Sequence, residues 1–263
     1  MQRRLALTLA SLTGAALLPH AAAANERHLT YTYESAVLPE GAKELEIWTT
    51  TRVGRHSYFT QFDHRAEFEV GLTSKLQTAF YLNFSAVTFE EMGVKSSELE
   101  FGGVSSEWKY KVSDPVADAL GFAGYAELSA GTNFYELEGK LIFDRVVGKT
   151  LLAANIVGAF EQETGHKSAL ELELDLAATY LVSEHFSLGL EVRNKNELEE
   201  AEELEFSALY AGPVLAYSTS TWWMAVSVLP QLPALKKPSG EVGARVLSDG
   251  EKWNARLLFS FRL

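Results

Sequence analysis

The chain has 263 residues, no cysteine and a formal net charge of −12 at pH 7. The absence of cysteine excludes a fold held together by disulfides, and the acidic balance argues against nucleic-acid binding, because no basic surface is available to neutralise phosphates. No apolar run of 18 residues follows Ala24, which argues against a helical membrane protein.

The first 24 residues have the three parts of a secretory signal peptide. Two arginines precede an apolar stretch from Leu5 to Leu18, and a run of small residues follows up to Ala24. The apolar stretch is shorter than the ~20 residues that a membrane-spanning helix needs. We therefore predict a cleaved signal peptide at 1–24 and an N-terminal periplasmic segment at 25–40.

From residue 41 onward, apolar and polar residues alternate. The clearest stretch is LELELDLAATYLV (170–182), in which Leu172 and Leu174 share one parity and Glu173 and Asp175 share the other. A period of two gathers such residues on one face of a strand, whereas a helix would scatter them. The stretch is longer than the usual soluble strand of about 5 or 6 residues, and a tilted strand needs about 9 to 11 residues to cross a bilayer.

The same alternation recurs along the rest of the chain. It is found at 43–52, 62–71, 76–84, 104–112, 136–145, 185–193 and 253–263, and more weakly near 121–131, 150–162, 205–217 and 221–230. Bacterial single-chain barrels have an even number of strands, and the last strand must close against the first because an open edge in lipid leaves backbone groups unsatisfied. We predict that residues 41–263 form an all-β, antiparallel up-and-down transmembrane β-barrel of about 12 strands in the cell outer membrane. A soluble β-sandwich is the alternative.

The predicted connections differ in length between the two ends of the barrel. Short turns are expected on the periplasmic side, and longer outer loops are expected at 86–97, 195–204 and 232–251. The glutamate-rich stretch at 196–205 is predicted to be a solvated outer loop. The alternative for it is a bridge through divalent cations to lipopolysaccharide phosphates.

Residues of the polar parity are expected to face the lumen. The candidates are Glu44, Glu46, Arg52, Arg65, Glu67, Glu69, Lys109, Lys140, Glu171, Glu173, Asp175, Glu191, Arg193 and Arg256. These side chains would either fill the lumen with ion pairs or line a conduit in which charged rings select the solute. The sequence leaves both interpretations open. It also leaves open whether residues 25–40 plug the lumen or lie outside it.

Catalytic chemistry is not indicated by the sequence. The histidines are scattered singly, and the adjacent pair His56 and Ser57 would point to opposite faces of a strand. Metal-ligand spacing such as HExxH is absent. We expect neither a catalytic residue nor a metal or cofactor, and therefore expect that the protein is not an enzyme.

Three stretches carry a family resemblance: LPEGAKELEIW (38–48), FDHRAEFEVGLTSKLQTAFYLNF (62–84) and YAGPVLAYSTSTWWMAVSVLPQ (210–231). In them the chain resembles a poorly characterised family of Gram-negative outer-membrane barrels, similar in pattern to the barrel proteins of the MetA pathway of phenol degradation. The resemblance implies a channel or transporter for small solutes, including aromatic or hydrophobic ones, and it supplies no catalytic residues. The alternative is a non-conducting structural or adhesive barrel. The expected partners are outer-membrane lipid, lipopolysaccharide, the outer-membrane assembly machinery and a small-molecule solute.

Overall fold

A computed structural model gives the structure of the protein and describes residues 26–199 and 203–263. The predicted signal peptide therefore lies outside the described residues. Within them, the chain forms strands and connections only. The strands are β1 (Lys43–Val53), β2 (Phe59–Gly71), β3 (Leu76–Glu91), β4 (Val94–Ser113), β5 (Gly121–Ala130), β6 (Phe134–Val147), β7 (Thr150–Glu163), β8 (Ala169–Leu181), β9 (Phe186–Glu199), β10 (Glu203–Ser218), β11 (Trp222–Pro230) and β12 (Trp253–Arg262).

The twelve strands close into one barrel in which each strand pairs with its sequence neighbour. The ring is completed by antiparallel pairing of β1 with β12, from Glu44 opposite Arg262 to Val53 opposite Trp253. The predicted antiparallel barrel of about 12 strands, closed by its last strand, is confirmed. No helix in the described residues has the length and hydrophobicity of a transmembrane helix.

The alternation of the sequence separates the two faces of the wall. On β8, Leu172, Leu174 and Leu176 face outward and are between 42% and 46% exposed, whereas Glu173 and Asp175 face the lumen and are buried. Successive side chains of a strand point to opposite faces, so that one strand serves both environments. The outer surface is consequently apolar and the interior polar, as in transmembrane barrels.

Two of the predicted loops are strand extensions instead. The stretch at 86–97 continues the β3–β4 hairpin, which turns sharply at Met92 and Gly93, both with positive φ. Similarly, β9 continues to Glu199 and β10 resumes at Glu203. The predicted loop at 86–97 was therefore wrong except at the turn itself, and the one at 195–204 was wrong for its described residues, since 200–202 lie outside them. Cross-strand pairing continues there through residues whose apolar alternation is weak.

The two ends of the barrel differ in structure. We call the end at which β1 begins the entry end and the opposite end the far end. At the far end, the long connection between Pro230 and Trp253 folds back onto the wall. Its Val246 is fully buried and exchanges two hydrogen bonds with the Gln231 side chain, at 2.8 and 2.9 Å.

Residues 26–40 lie inside the barrel; we call this segment the plug. Leu29, Tyr31, Tyr33 and Leu38 are buried in it against the inner wall. Leu29 packs with residues of β7, β8 and β10 near the entry end, and Tyr33 packs beside Trp48. The question that the sequence left open, whether this segment plugs the lumen, is therefore answered for its described residues.

The separation of faces predicts a large difference between two arginine substitutions on the same strand. Ile156 of β7 faces outward and is 54% exposed, whereas Ala159 lines the lumen. Ile156→Arg should cost about 2–4 kcal/mol, because a charge on the lipid face near the bilayer midplane is desolvated. Ala159→Arg places the same charge opposite Glu171 and should cost less than about 1 kcal/mol.

The measurement is urea unfolding of both variants in lipid vesicles, compared with the natural chain. Equal destabilisation by the two arginines would contradict the assignment of the faces.

Candidate functional site

The lumen-facing residues predicted from the sequence fall into two groups. One group lines a cavity of about 1210 Å³ that extends from the far end to the plug; it contains Arg52, Arg65, Lys140, Glu171, Glu173, Asp175, Arg193 and Arg256. The other group is buried nearer the entry end, around the plug; it contains Glu44, Glu46, Glu67, Glu69, Lys109 and Glu191. The cavity and the plug together form the candidate site.

Glu191 of β9 holds the plug by its backbone. Its carboxylate accepts hydrogen bonds from the N–H groups of Thr30, Tyr31 and Thr32 at 2.9–3.0 Å, and from the Thr30 hydroxyl at 2.6 Å. The Glu191 side chain is fully buried, so that these four donors replace the water that its charge has lost. Such charge-assisted bonds are stronger than bonds between neutral groups. Glu191 is thus the main anchor of the plug.

Three further polar side chains from other strands bind the plug backbone. Asn155 accepts from the N–H of Tyr33 at 2.5 Å and donates to its carbonyl at 3.0 Å. Asp144 accepts from the N–H and hydroxyl of Ser35, and Gln77 accepts from the N–H of Leu38. The plug pairs with no strand, and buried backbone groups need partners, so the wall supplies them through side chains of β3, β6, β7 and β9.

Two plug tyrosines separate the cavity from the entry end. The Tyr31 ring lies between the guanidinium groups of Arg193 and Arg256, at 4.0 and 3.8 Å from the ring centroid. The Tyr33 ring has the Lys140 ammonium at 4.0 Å on one side. Cation–π contacts contribute about 0.5–2 kcal/mol each, more when desolvated. The aromatic floor of the cavity is therefore fixed by cations of the wall.

An ion pair joins two residues of the plug, His28 and Glu34. Glu34 accepts from the backbone N–H of His28 at 2.7 Å, and its other oxygen lies 3.2 Å from the His28 ring. Burial opposes charging of both groups, but the charge and hydrogen bonds of the partner outweigh it. They raise the pKa of His28 and lower the pKa of Glu34. The pH range in which both groups are charged is therefore wider than for the isolated side chains.

Opposite walls of the cavity carry different charges. In the closed ring of twelve strands, β7 lies across from β1. The wall formed by β6, β7 and β8 contributes Glu136, Glu138, Glu161, Glu171, Glu173 and Asp175. This wall also carries Lys140. The facing wall of β12, β1 and β2 contributes Arg52, Arg65 and Arg256, with Asp63 paired to Arg52 at 2.7 Å. Acidic side chains outnumber basic ones around the cavity, so that its field is negative overall with a transverse component.

Ion pairs satisfy part of this charge. Arg193 binds Glu173 through two parallel bonds, at 2.5 and 3.0 Å, and Lys195 lies 2.6 Å from Glu171. By contrast, the Arg256 guanidinium donates to neutral oxygens only, the Thr50 hydroxyl and the Thr30 carbonyl, among the described residues. Arg256 is thus a cation at the floor of the cavity with remaining capacity for an anionic group.

Sequence reasoning missed the residues that recognise the plug. Asn155, Asp144 and Gln77 have the inward parity. In the sequence, however, a side chain that binds the plug cannot be distinguished from one that only fills space in the lumen. Tyr31 and Tyr33 lie before the first strand, where the parity of a residue does not say whether it faces the lumen. The signal that was available is the alternation of tyrosine and threonine in LTYTY (29–33), which is typical of an extended chain with two different faces.

The described histidines of the barrel wall and its far-end loops have hydrogen-bond partners, and two of them, His56 and His64, bear on the expectation that catalysis is absent. His56 bonds to Glu241 at 2.5 Å, and the Ser248 hydroxyl bonds to the other oxygen of the same carboxylate. His64 faces outward and bonds to the Thr49 hydroxyl at 3.1 Å. A nucleophile–base pair needs a hydroxyl that bonds the imidazole directly, and His56 lacks such a bond. His64 has one, to Thr49, but this pair lies on the outward face of β1 and β2 rather than among the buried groups of the lumen.

Solved structures with the same fold include outer-membrane channels. The COG4313 outer membrane channel from Pseudomonas putida F1 matches with a TM-score of 0.60 at 13% identity, covering 87% of this chain and 98% of that one. The KdgM porin matches with a TM-score of 0.54 at 10% identity, covering 83% and 98%. The β domain of the Bordetella autotransporter BrkA matches with a TM-score of 0.53 at 11% identity, covering 85% and 100%. At these identities the likeness shows the fold alone.

Sequence comparison gives the family. Among curated proteins, none matches the chain significantly. The model of a family of unknown function, DUF6662, matches residues 21–154 and 146–262, which together cover the plug and nearly the whole barrel. The chain belongs to the DUF6662 family.

Proposed function

We propose that this protein is an outer-membrane channel for small polar solutes, held closed at rest by its N-terminal plug. The observation that carries the proposal is the division of the lumen. A charged cavity of about 1210 Å³ occupies the part toward the far end, and a segment attached by side-chain hydrogen bonds fills the part toward the entry end. A barrel that served only as a wall would need no cavity.

The attachment of the plug favours a removable closure. Its backbone is bound by single side chains rather than by a strand ladder, so that it can leave without breaking the hydrogen bonds of the sheet. A segment outside the sheet can open at lower free energy than the sheet itself. Opening would extend the cavity to the entry end, which is the predicted periplasmic side.

The lining favours a polar solute. Carboxylates on β6–β8 and guanidinium groups on β12, β1 and β2 face each other across the cavity, and charged rings of this kind select ions and polar solutes in channels. The excess of acid favours cationic or zwitterionic solutes. The aromatic or hydrophobic solute implied by the resemblance to MetA-pathway barrels stays a prediction, for which the rings of Tyr31 and Trp48 at the floor are the supporting feature.

Location in the outer membrane is part of the same proposal. The apolar outer face and the fold shared with outer-membrane channels support it, and export by the signal peptide at 1–24 is its requirement. Lipopolysaccharide and the outer-membrane assembly machinery stay predicted partners.

A non-conducting structural or adhesive barrel is the second candidate. The feature that favours it is the filled entry end, where the plug is buried against the wall. The two functions differ in what removal of the plug does, because a purely structural barrel gains nothing from a releasable segment.

Weakening the plug anchor should open the channel. In planar bilayers we expect the natural chain to show rare openings, and Glu191→Ala to raise the open fraction by about tenfold or more, because three N–H groups and one hydroxyl lose their acceptor at about 1–3 kcal/mol per unsatisfied group. Deleting residues 26–37 should leave the channel continuously open. Glu161→Gln, which changes a cavity charge without touching the plug, is the control. A flat trace from the deletion variant at all voltages would establish the non-conducting alternative.

The charge of the cavity predicts a preference for cations. With the plug residues 26–37 deleted, the reversal potential in a KCl gradient should give a cation-to-anion permeability ratio above one. Replacing Glu136, Glu161 and Glu163 together by glutamine should lower this ratio by about twofold or more. The matched control replaces Glu90, Glu91 and Glu98, which do not line the cavity, by glutamine. If both triple variants changed the ratio equally, the cavity would not be the selective element.

The ion pair within the plug predicts a pH dependence of closure. Because the pKa of His28 is raised, its contribution is complete below about pH 6.5 and is lost as the pH rises through the folded pKa. Because the pKa of Glu34 is lowered, its contribution is present above about pH 4.5 and is lost as the pH falls through the folded pKa. The plug should therefore be held most firmly between about pH 4.5 and 6.5.

Amide hydrogen exchange of residues 29–36, corrected for the intrinsic pH effect, measures this dependence. Protection should be higher at pH 6 than at pH 9 in the natural chain, and the difference should be lost in His28→Gln. Unchanged protection across this range in the natural chain would show that the His28–Glu34 pair does not hold the plug.

A further inference from the structure

Outside the cavity, four carboxylates meet where the barrel wall faces the plug near the entry end. Glu44 and Glu46 lie on β1, and Glu69 and Glu67 are their direct cross-strand neighbours on β2. All four are at most 5% exposed. Like charges at directly paired positions destabilise a sheet, and their burial removes the water that would screen them. Something must compensate this charge.

The neutral donors around the group compensate only part of it. The indole N–H of Trp223 and the hydroxyl of Ser260 donate to one oxygen of Glu44, at 2.9 and 2.8 Å. The indole N–H of Trp48 donates to one oxygen of Glu46 at 2.7 Å. These bonds fix the orientation of the Glu44 and Glu46 carboxylates, and each of them uses only one of the two carboxylate oxygens.

Several carboxylate oxygens remain without a donor among the described residues. They are one oxygen of Glu44, one oxygen of Glu69 and both oxygens of Glu67, although Glu67 is only 1% exposed. The other oxygen of Glu69 accepts from Gln77 at 3.2 Å. Buried carboxylates without partners are rare in proteins and cost several kcal/mol unless a cation is close.

The nearby protein cations do not fill this role. The guanidinium group of Arg27 donates to the Thr30 carbonyl and stacks on the Tyr33 ring at 4.1 Å. The Arg262 Nε atom lies 3.6 Å from the free Glu44 oxygen, beyond hydrogen-bond distance, and its terminal nitrogen pairs with Glu26 at 2.8 Å. Neither cation donates a hydrogen bond to the free oxygens, which stay unsatisfied among the described residues.

The geometry matches a cation with oxygen ligands. One oxygen from each of Glu44, Glu46 and Glu69 can be chosen so that all three lie within 4.8 Å of one another. Oxygens bound to one Ca²⁺ ion at 2.3–2.6 Å are at most about 5 Å apart. A set made only of carboxylates suits a hard cation, since soft metals prefer sulfur or imidazole.

We propose that Glu44, Glu46 and Glu69, with the unpartnered Glu67 beside them, bind a divalent cation of the calcium class between the barrel wall and the plug. The ion would neutralise the repulsion between β1 and β2. It would also fix Glu69, which is connected through Gln77 to the backbone of Leu38 at the end of the plug. This proposal concerns ion binding alone and does not require that the barrel conduct.

Terbium luminescence tests the site directly. Tb³⁺ replaces Ca²⁺ at oxygen sites and emits when a nearby tryptophan is excited; here Trp48 and Trp223 bond to two of the ligands. The full chain, folded in detergent and stripped with EDTA, should give saturable emission that Ca²⁺ competes away. Glu69→Gln should weaken Tb³⁺ binding by about tenfold or more. Glu161→Gln, the same charge change in the cavity, should leave binding unchanged.

Absence of sensitised emission, or equal weakening by the two variants, would overturn the proposal. If Glu69→Gln does not fold, Glu67→Gln takes its place, because it removes an unpartnered carboxylate without breaking a hydrogen bond to the wall.

Thermal stability separates ion binding from protonation of the carboxylates. An ion that binds only the folded state stabilises it increasingly as the ion concentration exceeds Kd. The Tm of the stripped protein should therefore rise with CaCl₂ at neutral pH, and this rise should disappear in Glu69→Gln. The contrary outcome has two parts: CaCl₂ leaves the Tm of the natural chain unchanged, and Glu69→Gln has a higher Tm than the natural chain. In that case the carboxylates share protons, and the proposal is wrong.

Discussion

The structure depends on one requirement, that backbone N–H and C=O groups removed from water find partners inside the molecule. The pairing of β1 with β12 meets this requirement for the wall, because it leaves no strand edge open. Closure at twelve strands then sets the width of the lumen. Barrels of about eight strands are filled by side chains alone, whereas barrels of 16 to 18 strands contain an aqueous channel. With twelve strands, the lumen has room for a segment of chain as well as a cavity.

A segment inside the lumen has the same requirement, and the sheet has no free edge to offer it. The plug backbone is instead satisfied by side chains that project from the wall, with Glu191 as the strongest acceptor. Buried polar residues in this barrel therefore follow from closure itself: a closed wall can hold an extended segment only through side chains. The cost of burying Glu191 is offset by four donors, whereas the cost of burying Glu67 is offset by none among the described residues. Glu191 is therefore a binding residue for the plug backbone, whereas Glu67 belongs to the group of carboxylates for which we propose a bound cation.

Much of the fold could be predicted from the sequence because one pattern carries it. The two-residue period that places Leu172 outside and Glu173 inside also gives the strand count and the facing of the lumen candidates. The pattern fails where both faces of a strand meet water, as in the extended β3–β4 hairpin around Met92, since alternation then gives no contrast. It fails again for the plug, because Tyr31 and Tyr33 belong to no strand.

The candidate site was only partly predictable for a further reason. Placing Glu44 opposite Glu69 requires the register of β1 on β2, and a sequence pattern with a period of two does not fix register to the residue. Carboxylates that lie 25 positions apart thus become neighbours only in the sheet. Sequence motifs for metal sites depend on ligands within one short segment. The carboxylates of this group lie on two strands, so that no such motif contains them.

The contacts of the plug also indicate at which of its positions the identity of the side chain matters for binding. Glu191, Asn155 and Gln77 bind backbone groups, and such bonds form with any residue at the bound position except proline. They therefore fix the path of the plug without constraining most of its side chains. Side-chain identity matters where the rings of Tyr31 and Tyr33 lie against cations of the wall. The backbone contacts determine where the plug lies. The ring contacts use Arg193, Arg256 and Lys140, which also line the cavity; if the plug is released as proposed, these cations are where a charge in the cavity would act on it. In the proposed channel, a solute whose anionic group bonds to Arg256 would compete with the contact between this cation and the Tyr31 ring, so that solute binding and plug release would depend on the same residue.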